Sequence, residues 1–533
     1  MVTRDPSLLR LSDRLNELPN GAVHWFEGPD IVQRRYPLVA EDLARLKRAL
    51  HDVGLRPGMR VGAVPSNRYE WLLLELALVD LECVSVVFPP EAAETTPPVD
   101  LCDRYDLNLL LSFSNVKPHD VAHLGDFADV ETGRVRARPV GPPSRELDPD
   151  VFTMVFSSGT TGRMKCLMIS RRGTEEQIRA FGRAMTFRSD DSILVALPFS
   201  IYQQRLMLYT ALWYGFDILI TRADRIFHAL KDMRPTIVAG PPMLYEAVER
   251  HFQALRPAKQ RTLNILADAI RYLSPGPLRR RAQRRVFASF HQAFGGRTRF
   301  LLSGAAANKR STLLLFERVG LPLYQAYGLT ETGFLSWNLP GANRIGSVGR
   351  PVFDGSLKFA ADGEIIAELE WPQTLGYFDA APDESRQTFL ARNRIATGDI
   401  GRLDEHGYLH LAGRKKEIIV TNGGYKVHPQ DLEQKLVSVT GAARAVVFNG
   451  EPFSGIVALL VTESHADLAR MRAAATDLNR RIPQPSRIAR VMFTETLFTP
   501  ENGLLNRNLK VNRQAVKERF ERQLVEDGPV QAV

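Results

Sequence analysis

VFTMVFSSGTTGRMK, residues 151–165, is the stretch on which the fold turns. The β-favouring run Val151 to Phe156 breaks into Ser157-Ser158-Gly159-Thr160-Thr161-Gly162-Arg163-Met164-Lys165, so a strand ends in a loop of hydroxyls, small residues and two glycines. In such a loop successive backbone N–H groups can turn toward an anion, the hydroxyls add donors and Lys165 adds positive charge, which is chemistry suited to a triphosphate. It is not a GxxxxGK[ST] loop, because Gly159 and Gly162 lie too close together and the lysine does not follow a glycine. Taken alone, the stretch reads better as an ordinary Ser/Thr/Gly surface loop.

Around it, helical patterns (Ala40 to Val53, Arg68 to Leu81) alternate with short β-rich runs (Val84 to Phe88, Leu109 to Phe113, Ile193 to Ala196, Ile218 to Thr221, Ile237 to Ala239). That alternation predicts βαβ units and an α/β body with parallel sheets. After about Asp354 the texture changes to strand-like runs punctuated by Asp362-Gly363 and Gly376, which predicts a small antiparallel β-barrel or sheet. Beyond the hairpin LDEHGYLHLAGR, with His406-Gly407 at its turn, the β runs Ala445 to Phe448 and Ile456 to Val461 lie among helical patterns and predict a compact C-terminal α+β domain. Val135 to Pro149, rich in proline and charge, reads as a surface connector, and no internal repeat is visible.

A length of 533 residues exceeds what one core usually serves, so two or more domains are expected. With 44% hydrophobic and 24% charged residues the chain is an ordinary globular one. Its 3 cysteines, Cys83, Cys102 and Cys166, form no CxxC and support neither a disulfide framework nor a zinc site. The N-terminus has no uninterrupted apolar stretch, which argues against a signal peptide and for the cytoplasm. The longest apolar stretch, Trp71 to Phe88, is interrupted by Glu75, Asp80 and Glu82, so it reads as a buried helix and a strand, not an integral membrane segment. A net charge of +9 favours an acidic partner: nucleic acid, anionic lipid or a polyphosphate. The arginine run Leu278 to Phe287 reads first as a solvated helix face, with an anionic ligand or a peripheral membrane contact as the alternative. No nucleic-acid recognition motif appears.

Three further blocks follow the phosphate loop in order: YQAYGLTETG (Tyr324 to Gly333), ATGDIGRLDEHGYLHLAGRKKEIIVTNGGYKVHPQDLE (Ala396 to Glu433) and NGLLNRNLKVNR (Asn502 to Arg513). With these four blocks the chain resembles the adenylate-forming superfamily of acyl-CoA synthetases, peptide-synthetase adenylation domains and luciferases over nearly its whole length. Its tail is closest in texture to long-chain acyl-CoA synthetases. The resemblance implies an N-terminal AMP-binding domain, residues 1–414, of two βαβ-type subdomains and a small β-barrel, and a mobile C-terminal α+β domain, residues 415–533. It implies a reaction in two halves: a carboxylate attacks the α-phosphorus of ATP to give an acyl-adenylate and pyrophosphate, then a nucleophile, usually a thiol, displaces AMP.

On the same resemblance Ser157, Ser158, Gly159, Thr160, Thr161, Gly162 and Lys165 would cradle the phosphates, with Thr160 among the catalytic residues. Tyr327 would stack on adenine, Thr330 would contact the α-phosphate and Glu331 would hold Mg²⁺, a hard oxygen ligand for a hard cation. Asp399 would accept the ribose hydroxyls with Arg414 beside it, while Gly304, Ala305, Ala326 and Gly328 would line the nucleotide site. Lys510 matches the catalytic lysine that bridges carboxylate and α-phosphate, Lys416 falls in the hinge, and Gly423, Gly424 and Lys426 belong to a loop facing the acceptor thiol. ATP, Mg²⁺ and coenzyme A are the implied cofactors.

Two departures narrow the reading. Met164 and Cys166 stand where the family pattern has a proline and a glycine, which alters the stiffness of the loop. In LPFSIYQQR, Leu197 to Arg205, Ile201 replaces the histidine of the long-chain enzymes and Gln204 their glutamate, and no acid is present there to hold an α-ammonium. The expected substrate is therefore a fatty or aryl acid and not an α-amino acid, in a pocket with Ile201, Tyr202 and Gly240. CoA is the first acceptor, with a carrier-protein phosphopantetheine, an amine or another small nucleophile as the alternative.

Overall fold

Two helices, Tyr69–Asp80 and Tyr202–Tyr214, are buried on nearly every side, which is why neither shows an amphipathic stripe. They belong to one apolar core that also takes side chains from both large sheets, so they lie between those sheets. The computed structural model describes residues 7–18, 20–112, 143–158, 164–272, 276–421, 425–449, 455–462, 464–499, 501–505 and 511–526.

The first sheet has nine strands in the order Arg350–Pro351, Gly333–Trp337, Leu323–Leu329, Phe300–Ser303, Ile237–Gly240, Ser192–Val195, Asp217–Ile220, Ala22–Glu27 and Asp30–Arg35. Its middle is parallel, as the alternation of helices and short β runs predicts, and antiparallel strands close both edges. The second sheet runs Thr374–Tyr377, Met164–Ser170, Val151–Ser158, Val84–Val87, Arg60–Val64 and Leu109–Ser112. Five strands, Leu357–Phe359, Glu364–Glu368, Phe389–Ala391, Arg394–Leu403 and Leu409–Arg414, pair antiparallel into the small β unit expected after Asp354. Its pairings run Leu357–Phe359, Glu364–Glu368, Arg394–Leu403 and Phe389–Ala391, with Leu409–Arg414 also on Arg394–Leu403. Its last hairpin turns at Gly407, whose φ of 78° and the Asp404 carboxylate accepting from two backbone N–H groups hold the turn.

After Arg414 the chain builds a three-stranded sheet, Arg444–Asn449, Ile456–Val461 and Ile488–Thr494, with helices Pro429–Thr440, Leu468–Arg481 and Arg513–Glu526. This part has apolar clusters of its own, one around Leu436, Leu460 and Ile488 and another around Val446, Leu504 and Phe520. Among the described residues no helix is long and apolar enough to cross a membrane.

Candidate active site

In a parallel sheet the loops that leave the carboxyl ends of neighbouring strands gather at one edge, where ligands of open α/β sheets are held. Register places Gly240 opposite Ser303 and Ser303 opposite Gln325, so Gly240, Gly304 with Ala305, and Ala326 share that edge. Ala305 has a φ of 69°, an uncommon conformation for a residue with a β-carbon, in the exposed loop that follows Ser303. Gly328 has no alternative: a β-carbon there would lie 2.1 Å from the Gly333 carbonyl oxygen.

The antiparallel hairpin of Val151–Ser158 and Met164–Ser170 in the other sheet brings its last described residues to Glu331, pairing Ser157 with Lys165 and Ser158 with Met164. The expected phosphate-cradling residues Gly159, Thr160, Thr161 and Gly162 lie outside the described residues. At the base of the tip the Ser157 hydroxyl approaches Glu331 Oε1 at 3.4 Å, and the Tyr377 hydroxyl donates to the same oxygen at 3.2 Å. The Tyr377 phenol is raised above its ordinary value by burial and by the adjoining Glu331 charge, so it stays a proton donor. Lys165 pairs with Glu384 at 2.6 Å, its ammonium 4.7 Å from the centre of the Tyr377 ring. Just before Glu331, the Thr330 carbonyl accepts from the Thr374 hydroxyl at 2.8 Å, which ties this turn to the second sheet.

Four residues earlier, Tyr327 donates its hydroxyl to Asp399 Oδ2 at 2.8 Å, and Arg414 Nε meets Asp399 Oδ1 at 2.8 Å. Asp399 and Arg414 face each other across neighbouring strands, so the pair is set by register. Tyr327 is also a core tyrosine: its ring packs in the cluster of Leu335, Ile365 and Leu409, and burial followed by the Asp399 charge pushes its phenol well up. The segment from Tyr327 to Glu331 thus joins an Asp–Arg pair to a Ser–Glu–Tyr group. A polyphosphate ligand needs a cation such as the Lys165 ammonium, while a carboxylate such as Asp399 is an acceptor suited to hydroxyls. Glu331 keeps Oε2 without a hydrogen-bond partner among the described residues, a free hard oxygen of the kind that takes Mg²⁺ together with substrate phosphates.

Other predicted residues fall elsewhere. Ile201 is half-buried at the start of helix Tyr202–Tyr214. Tyr202, expected in the acyl pocket, is instead 1% exposed, bonded to Thr174 and lying against the Arg205 guanidinium, so it faces the core. Lys416 is exposed in the turn Lys415–Glu417, between Lys415, which pairs with Asp362 and Glu364 at 2.7 Å, and Glu417, which pairs with Arg513 at 2.9 Å. Lys426 is exposed on the short strand Lys426–Val427, while Gly423, Gly424 and Lys510 lie outside the described residues. Cys166 is buried and its thiol is pushed well up by burial, as suits a packing residue.

Sequence reading missed Tyr377 and Glu384, which belong to no motif, and the fully buried pair of Arg205 with Glu75. The signal for that pair was available: an acid inside an otherwise apolar helix requires a partner.

A family model described as AMP-binding enzyme matches residues 30–365, more than half of the chain. The chain therefore belongs to the AMP-binding enzyme family, the adenylate-forming superfamily its four motifs resemble, and is an ATP-dependent, AMP-forming ligase. It is 27% identical over 536 residues to the long-chain-fatty-acid–CoA ligase FadD15 of Mycobacterium bovis, covering 88% of each chain. It is 24% identical to the 2-succinylbenzoate–CoA ligase of Oceanobacillus iheyensis, covering 76% of this chain and 78% of the other. Its fold is similar to that of the anthranilate CoA ligase AuaEII solved with anthranoyl-AMP, with a TM-score of 0.74, 18% identity and coverage of 98% and 99%.

Proposed function

We propose that the chain activates a fatty or aryl carboxylic acid, not an α-amino acid, as an acyl-adenylate with release of pyrophosphate, and then passes the acyl group to the thiol of coenzyme A. The observation that carries this reading is the gathering of Ser157, Lys165, Glu331 and Tyr377 at the base of the loop 159–163, joined through Tyr327–Glu331 to Asp399 and Arg414. The CoA ligase names of FadD15 and of the Oceanobacillus enzyme support the choice of acceptor.

In this reading Lys165 leaves Glu384 for the β- and γ-phosphates, joined by Ser157, Ser158 and the loop residues Gly159 to Gly162. Asp399, held by Arg414 and by the Tyr327 hydroxyl, would accept the ribose hydroxyls, and adenine would lie beside Tyr327. Glu331 would hold Mg²⁺, which when bound supplies charge neutralisation on the phosphates. Thr160, Thr330 and Lys510 supply donors and positive charge where charge builds between the carboxylate and the α-phosphorus. Ile201 and Gly240 form part of the acid pocket, with no charge for an α-ammonium. The domains divide at 414 and 415, and rotation about Lys416, the residue between two ion-paired neighbours, would exchange Lys510 for the loop carrying Gly423, Gly424 and Lys426 on the acceptor side.

The test is pyrophosphate release with ATP and Mg²⁺ across fatty, aryl and amino acids, with and without CoA, with products identified by mass. Acid-dependent release giving an acyl-CoA is the expected result. Release that leaves the adenylate accumulating with CoA present would move the acceptor to a carrier protein or an amine, the reading that Ile201 in place of a histidine favours. Release with no acid preference, or with amino acids alone, would refute the proposal.

A further inference from the structure

Nearly all of the net positive charge sits in one helical hairpin. Residues 256–286 carry nine lysines and arginines against a single acid, Asp268, in a chain of net charge +9, so the remaining residues balance to +1. The hairpin consists of helices Pro257–Arg271 and Pro277–Val286, packed on each other. Asp268 is taken by Arg318 at 3.6 Å, whereas Arg279, Arg280, Arg281 and Arg285 have no carboxylate within ion-pair distance among the described residues.

The first helix buries one apolar stripe and leaves further apolar side chains in solvent. Leu263 and Ala267 face the core beside Phe287 and Phe290. On the opposite side Ile265 is 68% exposed, and Leu266, at the border of the core stripe, is 41% exposed, followed by Tyr272 at 91% and, at the start of the second helix, Leu278 at 70%. At 100° per residue Ile265 and Leu266 lie between exposed Arg261 and Lys259. A solvent face that is apolar at its centre and cationic at its edges is the pattern of a helix lying in the plane of a membrane interface. A nucleic acid would use the arginines but would leave exposed aliphatic Ile265, Leu266 and Leu278 without a role.

We propose that this hairpin docks the protein on an anionic lipid bilayer, with Ile265, Leu266, Tyr272 and Leu278 in the headgroup region and the arginines on lipid phosphates. The surface does not depend on which acid is activated, so its test is separate from that of the reaction. The full chain is floated with vesicles of phosphatidylcholine alone or with about a third phosphatidylglycerol, at low and high salt. Binding to the anionic vesicles, loosened by salt and weak on neutral ones, is expected. The triple variant Arg280→Ala/Arg281→Ala/Arg285→Ala should partition about a hundredfold more weakly, and the lysine triple should recover most of the loss. Ile265→Ser/Leu266→Ser should also bind more weakly at high salt, where the apolar contribution dominates. Melting temperature confirms that each variant is folded, and if the alanine triple fails to fold, the lysine triple and the serine pair carry the comparison. Wild-type protein that stays off anionic vesicles, or folded alanine and serine variants that float like wild type, would overturn the proposal, as would equal binding to neutral vesicles.

Discussion

Replacing Arg205 by methionine should cost more than any surface ion pair could, because Arg205 and Glu75 are 0% and 1% exposed. The Arg205 Nη2 group donates to Glu75, to Thr153 at 2.8 Å and to Ser85 at 3.1 Å, and the Tyr209 hydroxyl shares Glu75. Removing one partner strands a charge in an apolar core, a loss of about 3–5 kcal/mol. Replacing both is a different matter. Arg205 Nε and Nη1 and Glu75 Oε2 already lack partners among the described residues, so the network is only partly satisfied. The double variant Arg205→Met/Glu75→Leu leaves chiefly the Tyr209 hydroxyl without a partner, which costs about 1–2 kcal/mol.

An unfolding entropy of about 2.1 cal/mol/K per residue over roughly 400 residues converts these losses to melting-temperature drops of about 5 °C for each single variant and about 2 °C for the double. Calorimetry of the two singles and the double completes the cycle. A double variant that melts about 10 °C low, the sum of the singles, would refute the reasoning, as would an Arg205→Met protein within about 1 °C of wild type.

Three other outcomes follow from single contacts. Glu384→Gln removes the half-exposed partner that holds Lys165, so ATP should bind about 2–5-fold more tightly by titration calorimetry, and unchanged affinity would remove that pair as a competitor. Gly328→Ala puts a β-carbon 2.1 Å from the Gly333 carbonyl oxygen, and the expected result is loss of adenylation with a lowered melting temperature, since backbone on both sides must shift. His291 is held with Nε2 3.0 Å from the Val319 carbonyl oxygen, and burial lowers its pKa below the ordinary 6.5. The unfolded chain therefore takes up this proton first, the stability is intact above about pH 6.5 and falls as the pH drops through it, and His291→Gln should flatten that acid-side loss in melting temperature.

The parallel parts of the two large sheets were legible because their strands are short β-branched runs separated by helices, and Val84–Val87 and Ile237–Gly240 fall where the runs are read. The start of helix Tyr36–Asp52 was not. A helical stripe becomes visible only at Ala40, and Pro37 in the first turn looks like a breaker although it is a tolerated starter. Glu331, Asp399 and Arg414 have a motif around them, so the chain alone nominates them, and the fold brings Asp399 and Arg414 together. Tyr377 and Glu384 could not be nominated so, because they reach the site through the pairing of Thr374–Tyr377 with Met164–Ser170 and through the short helix Pro382–Thr388 that follows. The burial of Tyr202 could not be read for the opposite reason: it sits next to Ile201 in sequence, but a helix turns neighbours about 100° apart, and this one turns Tyr202 into the core.

The departures at Met164 and Cys166 gain a physical meaning from the same hairpin. Cys166 pairs with Phe156 and fills the cluster around Val86, Phe88 and Tyr105, where a glycine would leave a void. Met164 opens the strand opposite Ser158, where a proline would have no N–H to offer a ladder. The pairing thus continues to the base of the loop, and Lys165 is held opposite Ser157 by backbone register. Its ammonium can reach Glu384 or a phosphate only by swinging the side chain, so the stiffness that the departures alter resides in the strand. The adaptable parts are the lysine side chain, its Tyr377 platform and the helix Pro382–Thr388, whose Glu384 holds the ammonium and whose Thr388 lies 3.5 Å from the Tyr377 hydroxyl. On the proposed reading, a ligand that drew Lys165 away from Glu384 would act on that helix directly, and through the Tyr377 ring on the hydroxyl that Glu331 accepts from.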